Sequence, residues 1–275
     1  MNNDPKAAAE AMDRLLGLMA RLRAPDGCAW DREQTPATLK YQLLEEVYEV
    51  MEAVDSGSAE NLIEELGDLL LHVVFQAEIA KEEGKFGFTE VANGISDKLV
   101  RRHPHVFGDQ KTDDPVKILA QWNELKKAEK PERSSALDGV PLALPALMRA
   151  EALQKKARHV GFDWPDAKGS LDKVREEVAE VTAEIEGELA FAHANEAKFI
   201  PSAKTAEEIG DLLFSVVNLA RHLKFNPEEL LNQANDKFTR RFHAMEAKIK
   251  ATGKELSAAS LAEMDAAWDE AKASE

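Results

Sequence analysis

Between residues 43 and 54 the apolar positions fall at Leu44, Val47, Met51 and Val54. Those three- and four-residue steps mark one face of an α-helix. Glu46 and Glu49 stand together on a different face, three apart. The next segment repeats the plan, with an apolar stripe of Leu62, Leu66, Leu69 and Val73 and a separate acidic pair, Glu65 and Asp68. The same periodicity predicts helices near 6–23, 37–56, 58–83, 88–102 and 115–128, then near 143–158, 169–192, 203–222, 227–249 and 260–273. Long runs of Val, Ile and Thr that would read as strands are missing, so the fold class is all-α. Asn226 before Pro227, Glu228 and Glu229 is an N-cap with a first-turn proline and early acids. Thr89 is expected to start its helix in the same way, and residues 163–166 form a turn.

The pattern is written twice. EELGDLLL at 64–71 returns as EEIGDLLF at 207–214. CAWD (28–31), LLEEVYE (43–49) and SDKLVRRHPHVF (96–107) have counterparts in FDWPD (162–166), VREEVAE (174–180) and NDKFTRRFHAM (235–245). Each copy closes on a helix bearing a tryptophan, Trp122 or Trp268. Four features in one order point to a duplicated unit. The Pro- and Ser-bearing stretch between the copies suggests a division into residues 1–134, a linker at 135–145, and 146–275.

Composition narrows the function. The chain has 275 residues, 44% of them hydrophobic, and a formal net charge of −16. That charge repels nucleic acid on average, although a basic pocket remains compatible with it. A single cysteine, Cys28, excludes an intrachain disulfide and reads as a small turn or core residue. No apolar run reaches the ~18 residues of a membrane span. The first residues, MNNDPKAAAEAMDR, carry no hydrophobic signal segment. A soluble cytoplasmic protein, with no membrane or nucleic-acid partner, is expected.

The acidic pairs carry the candidate chemistry. Glu46, Glu49, Glu65 and Asp68 on adjacent helices could surround one hard cation, and Glu177, Glu180, Glu208 and Asp211 repeat the set. Oxygen-only clusters suit Mg²⁺, with Mn²⁺ as a substitute. One such pair alone carries little, because acids three apart are common on exposed helices. Duplication, and the apolar surroundings of ELGDLLLHVVF and EIGDLLFSVVNLA, favour a helix–helix seam where unpaired acids would be costly. The second copy has a longer connection: 28 positions separate Glu180 from Glu208, against 16 from Glu49 to Glu65. The extra residues lengthen the helices or form a loop over the site.

Basic residues follow at fixed intervals: Lys98, Arg101 and Arg102 after the first set, Lys237, Arg240 and Arg241 after the second. Opposite a cation they could hold a polyphosphate; on their own they read equally as a solvated face or as ion-pair partners. Neither a P-loop nor a Rossmann glycine pattern occurs. Phe162, Trp164 and Trp268 could stack a base, against the alternative of core packing. Lys204 precedes Glu208 by four on the metal-facing stripe, which continues to Ser215 and Asn218. In the first copy the stripe gives Asn61, His72 and Phe75. The second unit is therefore the better equipped for a nucleotide.

CAWDREQT, LLEEVYE, EELGDLLLHVVFQAE, GISDKLVRRHPHVFGD, KKARHVGFDW, EEIGDLLFSVVNLARH and NDKFTRRF together resemble the two-domain members of the MazG family of nucleoside triphosphate pyrophosphohydrolases. The resemblance runs from about residue 12 to 273. It implies tandem helical bundles of the all-α NTP pyrophosphatase fold, similar to dimeric dUTPases. It also implies a homodimer and Mg²⁺-dependent cleavage of ribo- and deoxynucleoside triphosphates to monophosphate and pyrophosphate, mainly by the C-terminal domain. The implied metal and catalytic residues are Glu177, Glu180, Glu208 and Asp211, with substrate held by Lys204, Lys237, Arg240 and Trp268. Lys98 and Arg101 are candidate phosphate contacts in the first unit. Glu177 is the preferred acceptor of the attacking water's proton. Ala29 stands where the family usually has proline, and the segment after Glu180 is longer than the family's. Two alternatives remain: a helical regulatory protein with ion-braced sites, and a narrow enzyme that removes damaged or deoxy nucleotides.

Overall fold

The computed structural model describes residues 4–109, 111–129 and 134–274, and every regular element among them is helical. The chain divides into two compact units, Met1–Pro131 and Glu132–Glu275. The first contains α1 (Pro5–Arg23), α2 (Ala29–Glu33), α3 (Pro36–Ser56), α4 (Ala59–Glu82), α5 (Phe88–Arg102), α6 (Pro104–Phe107) and α7 (Pro115–Ala128). The second contains α8 (Ala146–His159), α9 (Ala167–Ala194), α10 (Ala203–His222), α11 (Pro227–Ala251), a 3₁₀ turn at Leu256–Ala258 and α12 (Leu261–Ala273).

The long helices end where local chemistry stops them. Thr35 Oγ1 accepts from Thr38 N–H at the start of α3, with Pro36 next to it. Gly57 closes α3 with φ +68°, a left-handed conformation that an L side chain would strain. Asn226 caps α11 by accepting from the Glu228 and Glu229 N–H groups at 3.0 and 3.3 Å. The start of α5 departs from expectation. Gly87, not Thr89, is the N-cap, and Glu90 Oε2 accepts from the Gly87 N–H at 2.8 Å. The hydrophobic period carried no signal for the short α2 and α6, which span about one turn each.

The first core gathers Met19, Leu39, Val74, Phe75 and Ile79 where α1 and α3 pack on α4. Arg23 lies along this core with its guanidinium 5.4 Å from the Phe75 ring centre. A double hydrogen bond to Glu82, both contacts at 2.7 Å, satisfies that charge. In the second unit α9 pairs with α10, α8 packs on α10, and α11 pairs with α12. Met245, Ile249 and Ala267 form a core cluster there, joined by Met264 and Trp268. Cys28 is exposed and sits in the turn before α2.

The segment after Glu180 lengthens the helix and adds a loop at its far end. Helix α9 runs on to Ala194, and residues 195–202 make a loop. Glu188 ties that loop back to α9 by accepting from Ser202 N–H (2.8 Å) and Thr205 Oγ1 (2.6 Å). Residues 134–145, linker-like in composition, form turns at the start of the second unit. Asp138 Oδ2 accepts from the Ser134 and Ser135 N–H groups, while Lys156 of α8 donates to the Asp138 carbonyl.

Much of the apolar stripe on the paired helices stays open in the single chain. Met51 and Leu66 are about half exposed in the first unit, as are Leu213 and Val216 in the second. No described helix is long and apolar enough to cross a membrane.

One buried ionic cluster holds the second unit together. Asp163, in the turn after α8, accepts from Arg221 Nη2 and lies 3.0 Å from His222 Nε2, both on α10. Burial alone would raise the Asp163 carboxyl, but these two bonds outweigh it and hold the group below its ordinary value. Asp163→Ala would leave the Arg221 charge buried without its counter-ion. We expect a loss of about 3–5 kcal/mol in the stability of this unit near neutral pH, read by urea unfolding. A depressed carboxylate stabilises above its unfolded pKa and loses that contribution as pH falls through the folded value. The penalty should therefore shrink in acid.

Candidate functional site

The pairing of α9 with α10 brings three carboxyl groups to one point. Oxygen atoms of Glu177, Glu180 and Glu208 all lie within 4.8 Å of one another. Glu177 and Glu180 come from one face of α9, three residues apart, and Glu208 from the facing side of α10. Glu177 is 4% exposed, whereas Glu180 and Glu208 reach solvent. Asp211, one turn beyond Glu208, is exposed and stands outside this three-carboxylate contact.

The electrostatics record the crowding. Desolvation, then the Glu177 and Glu208 charges, then a hydrogen bond with Glu177 hold the Glu180 carboxyl above its ordinary value. Like charges this close favour a proton or a cation between them. Part of the counter-charge comes from Lys173, one turn before Glu177 on α9. Its Nζ lies 2.7 Å from Glu177 and 3.0 Å from Glu176. Those two hydrogen bonds drive the lysine well above its usual range. Sequence reading passed over Lys173, although its i,i+4 spacing to Glu177 was a usable signal. Lys204, in the first turn of α10 and one turn before Glu208, pairs with Glu184, which raises it, and the Glu208 and Glu180 charges add to the shift.

The other expected contacts lie on different elements. Lys237 and Arg240 are exposed on one face of α11 and line a hollow of about 500 Å³ with Leu230, Gln233, Ala234 and Asp236. Trp268 of α12 is half-buried against the Met245–Ile249 cluster, its ring centre 5.2 Å from that of Phe238. The larger apolar opening is elsewhere. A cavity of about 530 Å³ is walled by Phe162, Trp164, Phe214, Leu137 and Leu153, with Gln154, Asp163, Asn218 and Arg221 as its polar groups. Phe162 is 81% exposed at its mouth. Gly169 lets the Trp164 ring lie flat on the start of α9, since a Cβ there would come within 2.8 Å of a ring carbon. Phe214 and Asn218 continue α10 beyond Glu208 and Asp211. The ~1.5 Å rise per residue puts Asn218 about 15 Å along the axis from Glu208.

The first unit builds its own seam between α3 and α4. Oxygen atoms of Glu46, Glu49 and Glu65 meet within 4.8 Å. Desolvation and then the Asp68, Glu49 and Glu65 carboxylates raise the Glu46 carboxyl. Asp68 lies beside this contact, not within it. The basic residues behind it are engaged. Arg101 and Arg102 both bond Glu129, pulling its carboxyl down to about 2. Arg102 also lies 5.3 Å from the Trp122 ring centre. Arg101 thus makes the ion pair that was one of its two readings. Lys98 is half-buried on α5.

Clusters of three carboxylates with neither Cys nor His inside them fit a hard divalent ion held by oxygen. Burial first, and then the charge of neighbouring carboxylates, raises Glu46 and Glu180, and such an ion would offset both.

Comparison with known proteins agrees with this geometry. The MazG nucleotide pyrophosphohydrolase domain matches residues 34–107 and 167–245, so each match contains one acidic seam. A nucleoside triphosphate pyrophosphohydrolase of Escherichia coli (strain K12) is 46% identical over 267 residues, covering 96% of this chain and 98% of its own. The nucleoside triphosphate pyrophosphohydrolase/pyrophosphatase MazG of Thermotoga maritima is 41% identical over 268 residues, 97% of this chain and 98% of its own. The uncharacterized protein YabN of Bacillus subtilis is 47% identical over 259 residues, 94% of this chain but 51% of its own length. Two domain matches, each centred on paired helices that converge three carboxylates, make this chain a member of the MazG nucleotide pyrophosphohydrolase family.

Proposed function

We propose that the chain hydrolyses nucleoside triphosphates, ribo and deoxy, to the monophosphate and pyrophosphate, chiefly at the α9–α10 seam. One observation carries the reading. The Glu177–Glu180–Glu208 carboxylates lie on one pair of helices with Lys204 at one end and an aromatic cavity at the other. Negative phosphates and a flat apolar base need those two environments at the two ends of one site. The extended identity to proteins named as nucleoside triphosphate pyrophosphohydrolases supports the same activity.

Glu177, Glu180 and Glu208, with Asp211 beside them, would hold Mg²⁺, which supplies Lewis-acid charge to phosphate oxygens when bound. The chain's own groups do the rest. Lys204 leaves Glu184 to meet a phosphate oxygen, and Lys237 and Arg240 neutralise charge on the departing pyrophosphate. Glu177 takes the proton of the attacking water. Its burial keeps it in one position, and Lys173 holds one of its oxygens at 2.7 Å. Phe162 and Trp164 receive the base, and Asn218 offers it a hydrogen-bonding amide. Such a pocket grips a π-face without reading an edge closely, which favours broad nucleotide use. Trp268 supports α11, the helix carrying Lys237 and Arg240, through Phe238. The open apolar stripes around Met51, Leu66, Leu213 and Val216 would be covered in a homodimer.

Two experiments test this. Glu208→Gln and Glu65→Gln are made separately, and pyrophosphate release is measured with ATP and dATP. Glu208→Gln should reduce kcat/KM at least 100-fold with unchanged helical circular dichroism, and Glu65→Gln less than 5-fold. Equal losses, or none in the second unit, would refute the assignment. Phe162→Ala removes an exposed ring at the cavity mouth and should not disturb folding. Loss of one stacking face is worth ~1–3 kcal/mol, so KM for every nucleotide should rise roughly 5- to 100-fold with kcat little changed. An unaltered KM would remove the cavity from the site.

A further inference from the structure

The two acidic seams differ at one buried position. The octet of the first unit is followed by His72, that of the second by Ser215. Ser215 turns back on its own helix and donates to the Leu212 carbonyl at 2.9 Å. His72 does not turn away. Its side chain is 8% exposed, and Nε2 lies 3.8 Å from Oε1 of Glu46, beside the three-carboxylate contact to which Glu46 belongs and outside it. That separation is too long for a hydrogen bond. Nδ1 is buried and without a partner. A neutral imidazole has one lone-pair nitrogen and one N–H, and an ion at the seam would use the lone pair of Nε2, the nitrogen that faces Glu46.

The helix explains the aim. Glu65, Asp68 and His72 follow one another at three and four residues on α4, so they rise along one face toward Glu46 and Glu49 of α3.

We infer that the α3–α4 seam is a mixed carboxylate–imidazole site for a first-row divalent transition ion of the Mn²⁺–Zn²⁺ class, with His72 as its nitrogen ligand. An imidazole among carboxylates shifts preference away from Mg²⁺ toward these ions, because nitrogen binds them more strongly than it binds a hard cation. The second unit has serine at this position and keeps an all-oxygen set. The two seams of one chain therefore differ in metal preference. The inference rests on reading the acidic seams as metal sites, and the test separates the two.

The full chain carrying Glu177→Gln and Glu208→Gln, which disables the second seam, is loaded with Mn²⁺. Pulsed electron paramagnetic resonance is used to detect coupling to imidazole ¹⁴N. Nitrogen coupling is expected, together with a Mn²⁺ affinity at least tenfold above that for Mg²⁺ by competition. In the same background His72→Gln should abolish the coupling and weaken Mn²⁺ at least tenfold, with circular dichroism unchanged. His72→Asn serves as a second variant of different size. Mn²⁺ bound without nitrogen coupling, or coupling that survives both variants, would overturn the role of His72 while leaving the carboxylate cage intact. No Mn²⁺ binding at all would overturn the cage reading of this unit as well. Neither result touches hydrolysis at the second seam, which the wild-type chain reports separately.

Discussion

Mutual repulsion among carboxylates forced together is the constraint on which this molecule turns. In each unit, two antiparallel helices converge three glutamates within 4.8 Å. Ordinary helix packing would separate such groups or pair them with arginine, because charge removed from water needs a partner. Here apolar packing around the seams holds the acids together. In the first unit that support is the Leu39, Val74, Phe75 cluster. In the second it is the α8–α10 contact, fixed by Asp163, Arg221 and His222. The surrounding fold sustains a local repulsion that a divalent cation would relieve.

From this shared device the units diverge through the residues next to it. In the second, Lys173 and Lys204 border the acids, and α10 continues into an aromatic cavity. In the first, a buried imidazole faces the acids, and Arg101 and Arg102, the counterparts of Arg240 and Arg241, bond Glu129. On the proposed reading, a duplicated scaffold lets one copy serve a polyphosphate while the other changes its donor set. The acids are common to both, so the distinction comes from second-rank residues: a lysine, a histidine, a serine.

Helix periodicity and caps carry information within a few residues of chain, and for that reason the ten long helices, the Asn226 cap and the duplication could be read from the letters alone. Glu46 with Glu49, and Glu177 with Glu180, are i,i+3 pairs whose shared face follows from 100° per residue. The short α2 and α6 were missed because a single turn has no period to detect. Thr89 misled because a threonine near a helix start looks like a cap, while the glutamate at the third helical position made Gly87 the actual one. The apolar stripes were visible in the sequence, but their periodicity does not say whether the covering surface belongs to the same chain.

The sequence by itself determined which residue types could do chemistry and which faces they share, since both follow from local helical geometry. Tertiary structure alone decided which faces meet. It brought Glu208, 28 positions along the chain from Glu180, to Glu177 and Glu180, left Asp211 beside the contact, and tied Arg101 to Glu129. It also seated Trp268 in a core cluster, walled a cavity with Phe162 and Trp164, and buried His72 of the acidic stripe facing Glu46. These outcomes depend on helix crossing and on long-range burial, and neither leaves a periodic trace in the chain.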